Sequence, residues 1–212
     1  MNELRLTLMK CYYNDLKGLV HKLTFKDVQE PLQKLRGNLY TAMFDSSKDI
    51  GYEDLIVPLE EIQSILIEKY QSLYLKDLEK FIDKVKIFKV HFATIDIRQD
   101  HSMHTKVMVE VLKKNGFIND ELSELSDEEL LDILLHKNLN LVADDYEEDI
   151  VKDTIKNILQ LQTIQAKNGE EGCNRYIISN SEDKYSILFV YALFRWCGWA
   201  DKEITFDIVP LF

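Results

Sequence analysis

The chain has 212 residues, 46% of them hydrophobic and 30% charged, with a formal net charge of −11. That composition is that of a soluble globular protein long enough to bury a core, as one large domain or two small ones. The acidic balance argues against a nucleic-acid-binding or anionic-membrane surface, while leaving room for a local basic pocket that takes an anionic ligand.

Cys11, Cys173 and Cys197 are odd in number and far apart. They fit neither a disulfide framework nor a CxxC metal pattern, so a reducing, cytoplasmic setting is expected. The start, Met1-Asn2-Glu3-Leu4-Arg5, is acidic and lacks a long apolar run, which argues against a signal peptide. No stretch approaches the length needed to span a bilayer. The seven glycines and three prolines favour helix over a turn-rich β-sandwich.

Residues 2–23 place Leu4, Leu8, Tyr12, Leu16 and Leu19 on one helical stripe. His21 near its end reads as a surface or capping residue, where a cation suits the helix dipole. Pro31 opens or interrupts a second helix carrying Leu32, Leu35, Leu39 and Met43; a first-turn proline costs no hydrogen bond. After the polar link Asp45–Gly51, a third helix spans about 54–73 through Leu59, Ile62, Leu66 and Tyr70. A fourth spans about 75–88, with Leu78, Phe81, Ile82 and Val85 inward. The charged residues between them read as solvated faces with i,i+4 pairs. Nothing in this helical segment, residues 1–89, looks catalytic.

From Val90 the period changes. Ala93, Ile95 and Ile97 alternate with Thr94, Asp96 and Arg98, the pattern of a strand with unlike faces. From about Ser102 the spacing is helical again, through Val107, Val111 and Leu112, to Asn115-Gly116, where glycine accepts a left-handed cap. A strand that runs into a helix carries its last side chains to the carboxyl end of a sheet, where α/β folds keep their sites. Asp96 and Arg98 are placed there, on one face. Their simplest reading is an ordinary ion pair; alternatively the carboxylate orients the guanidinium fork toward a phosphate or carboxylate ligand.

Ser126-Asp127-Glu128-Glu129 reads as a capping box opening a helix through Leu130, Leu131, Ile133 and Leu134, closed by His136 and Lys137. A further helix covers about 147–166. Arg175–Asn180 reads as a second strand, about 182–197 as an apolar helix capped by Gly198, and Thr205–Phe212 as a third strand. Strand–helix–strand–helix–strand implies parallel pairing with right-handed crossovers. The fold expected is mainly α with a small parallel sheet: a helical segment over 1–89, then a partial α/β barrel segment over 90–212.

Three other groupings carry weaker chemistry. His101 and His104, with Asp100, could share a helix face as metal ligands, but a third ligand beside the histidines is not evident and the helix start is mostly exposed. Cys173 has no base near it in sequence and reads as a buried or loop thiol. The run Asp144–Asp149 lacks the glycine and spacing of a calcium loop and suits acids at a helix N-terminus. Trp196 and Trp199 are expected to pack at a helix end.

Asp96-Ile97-Arg98-Gln99-Asp100, followed by His104-Thr105, resembles the DIRQES-x-RHT segment of phosphoenolpyruvate carboxylase. Glu30-Pro31-Leu32 with Leu35-Arg36 resembles more loosely that family's EPYR…LR…L helix. Residues 175–199 resemble its YIISMA…SDVLAV segment, and Ile204–Phe212 its RVVPLFET segment. The resemblance runs over nearly the whole chain and is tightest at the three strands. It departs at Asp100, His101 and Met103, which stand where the family has Glu, Ser and Arg.

The resemblance implies three consecutive strands of an incomplete (β/α)8 barrel. It implies the parent activity, joining phosphoenolpyruvate and bicarbonate to give oxaloacetate and phosphate with Mg²⁺ or Mn²⁺, and a homotetrameric parent. It carries onto Arg98 a catalytic and substrate-binding role near the substrate phosphate, with Asp96 orienting it and Gln99, His104 and Ser179 as supporting residues. No metal ligand is assigned in this chain. Segments like TAHPTE, FHGRGG and GSRP are not found. The chain therefore reads as an internal piece of a longer enzyme, inactive alone. The alternative is a non-enzymatic helical α/β interaction domain that pairs, or self-associates, through open sheet edges.

Overall fold

The computed structural model describes residues 2–45 and 47–212, in two compact units, one ending at Ala93 and the other running Thr94–Phe212.

The first unit is helical: α1 (Asn2–Lys22), α2 (Lys26–Phe44), α3 (Tyr52–Tyr70) and α4 (Leu75–Phe88). Their apolar stripes close on one core of leucine, isoleucine and valine around Tyr12. Tyr12 is 1% exposed, packs edge-on to Phe81, and donates its hydroxyl hydrogen to the Lys89 carbonyl at 2.9 Å. One expectation needs correction: Leu4, placed on the buried stripe of α1, is 50% exposed, and burial begins one turn later, at Leu8. Of the two readings of Pro31, the structure shows the second: it lies inside α2, which begins five residues earlier. That extra turn is held from outside. Val28 is fully buried, Phe25 stacks on Tyr70, and Asp27 accepts hydrogen bonds from Tyr70 and Lys69. The backbone bond that Pro31 cannot donate costs less than these contacts return.

The second unit alternates strands and helices: β1 (Asp96–Asp100), α5 (His101–Lys114), α6 (Asp127–His136), α7 (Asp149–Asn168), β2 (Arg175–Ser179), α8 (Tyr185–Trp196) and β3 (Asp207–Pro210). Short 3₁₀ turns at Leu122–Glu124, Ala143–Asp145, Glu170–Gly172 and Asp201–Glu203 join them. The sheet is parallel and open, in the order β1-β2-β3. Side chains alternate across it. Ile97, Tyr176, Ile178 and Ile208 face a core built from α5–α8, which includes Val107, Met108, Ile155, Phe189, Phe194 and Trp196.

Residues 90–94 are not strand. Lys89 and Phe92 adopt positive φ values of 44° and 70° and turn the chain. Ile95 then donates to the Gly172 carbonyl at 3.0 Å, and β1 proper starts opposite Arg175, where β2 starts. Of the acidic run at 144–149, only Asp149 lies within a helix; Asp144 and Asp145 belong to a 3₁₀ turn.

The expected capping box is present. The Glu129 N–H donates to Ser126 Oγ at 3.3 Å, and Glu129 Oε2 accepts from the Ser126 N–H at 2.9 Å. Ser126→Ala should cost about 1 kcal/mol of stability, read as a lower urea midpoint with an unchanged denaturant slope.

Candidate functional site

β1 carries the residues of the candidate site. Ile97 and Gln99 point to the core side, across from Tyr176 and Ile178 in register. Asp96, Arg98 and Asp100 therefore share the other, open face with Arg175, Ile177 and Ser179 of β2 and Asp207 and Val209 of β3. Because β1 begins at Asp96, the acidic residue lies at the amino end of the sheet and Arg98 at mid-strand. The expected placement of both at the carboxyl end is corrected accordingly; that end is formed by Asp100 and Ser179.

Arg98 and Asp96 are brought together. One guanidinium nitrogen of Arg98, Nη2, lies 3.5 Å from Asp96 Oδ2, and the arginine side chain is 74% exposed. The pair is loose and the guanidinium is largely open to solvent. Asp96 Oδ1 is also 3.8 Å from Nη1 of Arg175, a residue that sequence reasoning passed over.

At the carboxyl end, Asp100 joins three elements. Its Oδ1 accepts from the Ser102 N–H at 2.9 Å, which caps α5. Its Oδ2 accepts from Asn180 Nδ2 at 2.6 Å and from Ser179 Oγ at 3.4 Å. The bonds from Ser102, then those from Asn180 and Ser179, hold its carboxyl down at about 2. Asn180 takes φ 53°, a left-handed conformation that asparagine tolerates. Ser179 thus supports the strand ends and is not in contact with Arg98.

His104 is fully buried. Its Nε2 lies 2.9 Å from the Tyr176 hydroxyl, and burial, followed by the charge of His101, pushes its pKa down to about 4. The imidazole is neutral at pH 7 and links α5 to β2. The Nδ1 atoms of both His101 and His104 are buried without a hydrogen-bond partner. His101 stacks on Phe189. With His104 committed to Tyr176 and Asp100 to Ser102, Asn180 and Ser179, the suggested metal face is not assembled.

Against this geometry the comparisons are specific. Residues 6–212 match the family profile of phosphoenolpyruvate carboxylase. The chain belongs to the phosphoenolpyruvate carboxylase family. It is 28% identical over 167 residues to the phosphoenolpyruvate carboxylase of Synechocystis sp. (strain ATCC 27184 / PCC 6803 / Kazusa), an alignment covering 76% of this chain and 16% of that protein. It is 30% identical over 144 residues to the phosphoenolpyruvate carboxylase of Gloeobacter violaceus (strain ATCC 29082 / PCC 7421), covering 65% of this chain and 15% of the relative. The chain thus spans only 15–16% of the length of these two relatives.

A carboxylase of this family is expected to use a divalent cation. Among the described residues no three His, Cys, Asp or Glu side chains converge as such an ion would require. The residues here do not fit that group. No helix among the described residues is long and apolar enough to cross a membrane.

Proposed function

We propose that this chain forms three successive strands of the (β/α)8 barrel of a phosphoenolpyruvate carboxylase, with Arg98 as its contribution to the reaction. The parent reaction takes phosphoenolpyruvate and bicarbonate to oxaloacetate and phosphate. By resemblance to the family, carboxyphosphate and an enolate form first, and the enolate then attacks carbon dioxide. Arg98 holds the phosphoryl oxygens; its planar fork can give two parallel N–H bonds to them and offset their charge as it moves between the substrates. Asp96 limits the directions open to that fork, while His104 and Ser179, with Gln99 on the core side, fix the strand and helix that carry it. Mg²⁺ or Mn²⁺, the remaining substrate contacts and tetramer contacts belong to the rest of the parent, in the cytoplasm.

The supporting observation is the state of Arg98: mid-strand on the open face, 74% exposed, with one loose ionic contact at 3.5 Å. In a full-length family member carrying this segment, Arg98→Gln is expected to lower kcat/KM by roughly 10²–10³, the usual cost of one charge-stabilising donor. The 212-residue chain alone, given phosphoenolpyruvate, bicarbonate and magnesium, should form no oxaloacetate. A full-length R98Q enzyme with undiminished kcat/KM would refute the role of Arg98, and oxaloacetate from the chain alone would refute its dependence on the rest of the parent.

A second reading draws on the open sheet, in which β1 and β3 each pair with β2. Through those edges the isolated chain would associate with a second copy. Sedimentation across a concentration series tests this; a mass of one chain throughout would dismiss it.

A further inference from the structure

Asp96 has two cationic neighbours rather than one, and they use different oxygens. Oδ2 lies 3.5 Å from Arg98 and Oδ1 lies 3.8 Å from Arg175. Arg175 opens β2 directly opposite Asp96 in the register, with its own side chain 51% exposed. Neither contact is the close two-bond pair that a guanidinium fork makes with a carboxylate it holds alone. Asp207 lies opposite Arg175 on β3. Asp96, Asp100 and Asp207 thus outnumber Arg98 and Arg175 on this face, with Asp100 already held by Ser102, Asn180 and Ser179. Affinity for an anion here depends on which partner each carboxylate takes, and not on net charge.

We propose that Arg175 is a positioning residue for the anion-binding group: by sharing the Asp96 carboxylate, it keeps the Arg98 fork from closing onto Asp96 and leaves its donors to a phosphate. This rests on the reading of Arg98 as a phosphate contact. Without Arg175, both Asp96 oxygens become available to Arg98, which would then have to break a two-bond pair before binding an anion. Arg175 acts through Asp96 and does not itself touch the ligand.

The test is a titration of the isotope-labelled 212-residue chain with inorganic phosphate at low ionic strength, following the Arg98 side-chain Nε–H and Cζ resonances. Arg175→Gln should weaken phosphate binding about two- to five-fold, the scale of one exposed ion pair. Arg175→Lys keeps a charge beside Asp96 and should bind as the wild type does. The decisive variant is Asp96→Asn. In that background Arg175→Gln should change nothing further, because the group through which Arg175 acts is gone. The amide resonances of Ile97 and Ile178 report whether the strand register survives; if Arg175→Gln disturbs them, the comparison of Arg175→Lys with and without Asp96→Asn replaces it, and a loss in R175K that persists beside D96N overturns the proposal. So does a persistent loss with R175Q in the D96N background, which would make Arg175 a direct phosphate contact. Unchanged binding in R175Q with a responsive wild type removes the positioning role and leaves Arg98 as it was. No response of Arg98 to phosphate in the wild type overturns the underlying reading and this proposal together.

Discussion

Phe194→Ala is expected to destabilise the second unit by about 3–5 kcal/mol, the range for removing a large aromatic ring from a packed interior. Phe194 is fully buried on α8. Its ring meets Tyr176 of β2 at 5.8 Å, Trp199 at 5.2 Å and Phe206 at 5.2 Å, the first two edge-on. One side chain therefore ties the middle strand, the turn after α8 and the approach to β3. Those edge-on contacts add to the burial of the ring, and truncation leaves a hole that three rigid rings cannot collapse to fill. Urea unfolding followed by tryptophan fluorescence reads this unit alone, since both tryptophans, Trp196 and Trp199, lie in it. Phe212, 91% exposed, is the control: its truncation should stay within about 0.5 kcal/mol of wild type. A loss below about 1 kcal/mol at Phe194 would contradict the packing described.

The fold was most legible where one element's own sequence decides its structure. α4 runs Leu75–Phe88 as its spacing of Leu78, Phe81, Ile82 and Val85 predicts, and the Ser126–Glu129 box opens α6 as its residue types predict. Where a second element decides, the sequence was weaker. Alternation from Ala93 onward suits a strand from residue 90, but a strand extends only as far as its partner. β2 begins at Arg175, so β1 begins at Asp96, while Phe92 and Ile95 remain 43% and 41% exposed. The misplacement of Asp96 and Arg98 along the sheet follows from that shift. The same limit explains the α2 start, set by Phe25 stacking on Tyr70 more than forty residues away. At the site, the Asp96–Arg98 pair was readable because two residues apart on a strand share a face. Arg175 and Asn180 were not, because register alone brings them to Asp96 and Asp100. Arg175 had only one signal, its position as the first residue of an apolar strand.

His104 should make the second unit acid-sensitive well above the carboxylate range. Its pKa is about 4 in the folded protein, against 6.5 for an ordinary histidine, because burial disfavours the imidazolium; the charge of His101 adds to this and that of Asp100 opposes it. Above pH 6.5 both folded and unfolded chains carry a neutral ring, and pH has no effect through this group. As pH falls from 6.5 to 4 the unfolded chain takes up a proton that the folded chain refuses, so stability declines. Below 4 both are protonated and the loss levels off, at about 3 kcal/mol. Asp100 and Glu124 act in a lower window, by a shift in the same direction but with a different cause. Hydrogen bonds hold each down at about 2, so the stability they lend is present above their ordinary values and lost as pH falls through 2. His104→Gln separates the two windows. It should be less stable at pH 7, because the Tyr176 hydroxyl loses a well-placed partner. Its urea midpoint should nevertheless change less between pH 6.5 and 4.5 than that of the wild type, while the decline below pH 4 remains. Parallel slopes in the two proteins across the upper window would mean that the imidazole takes up its proton inside the folded chain, and that the buried contact with Tyr176 does not exclude charge as its geometry requires.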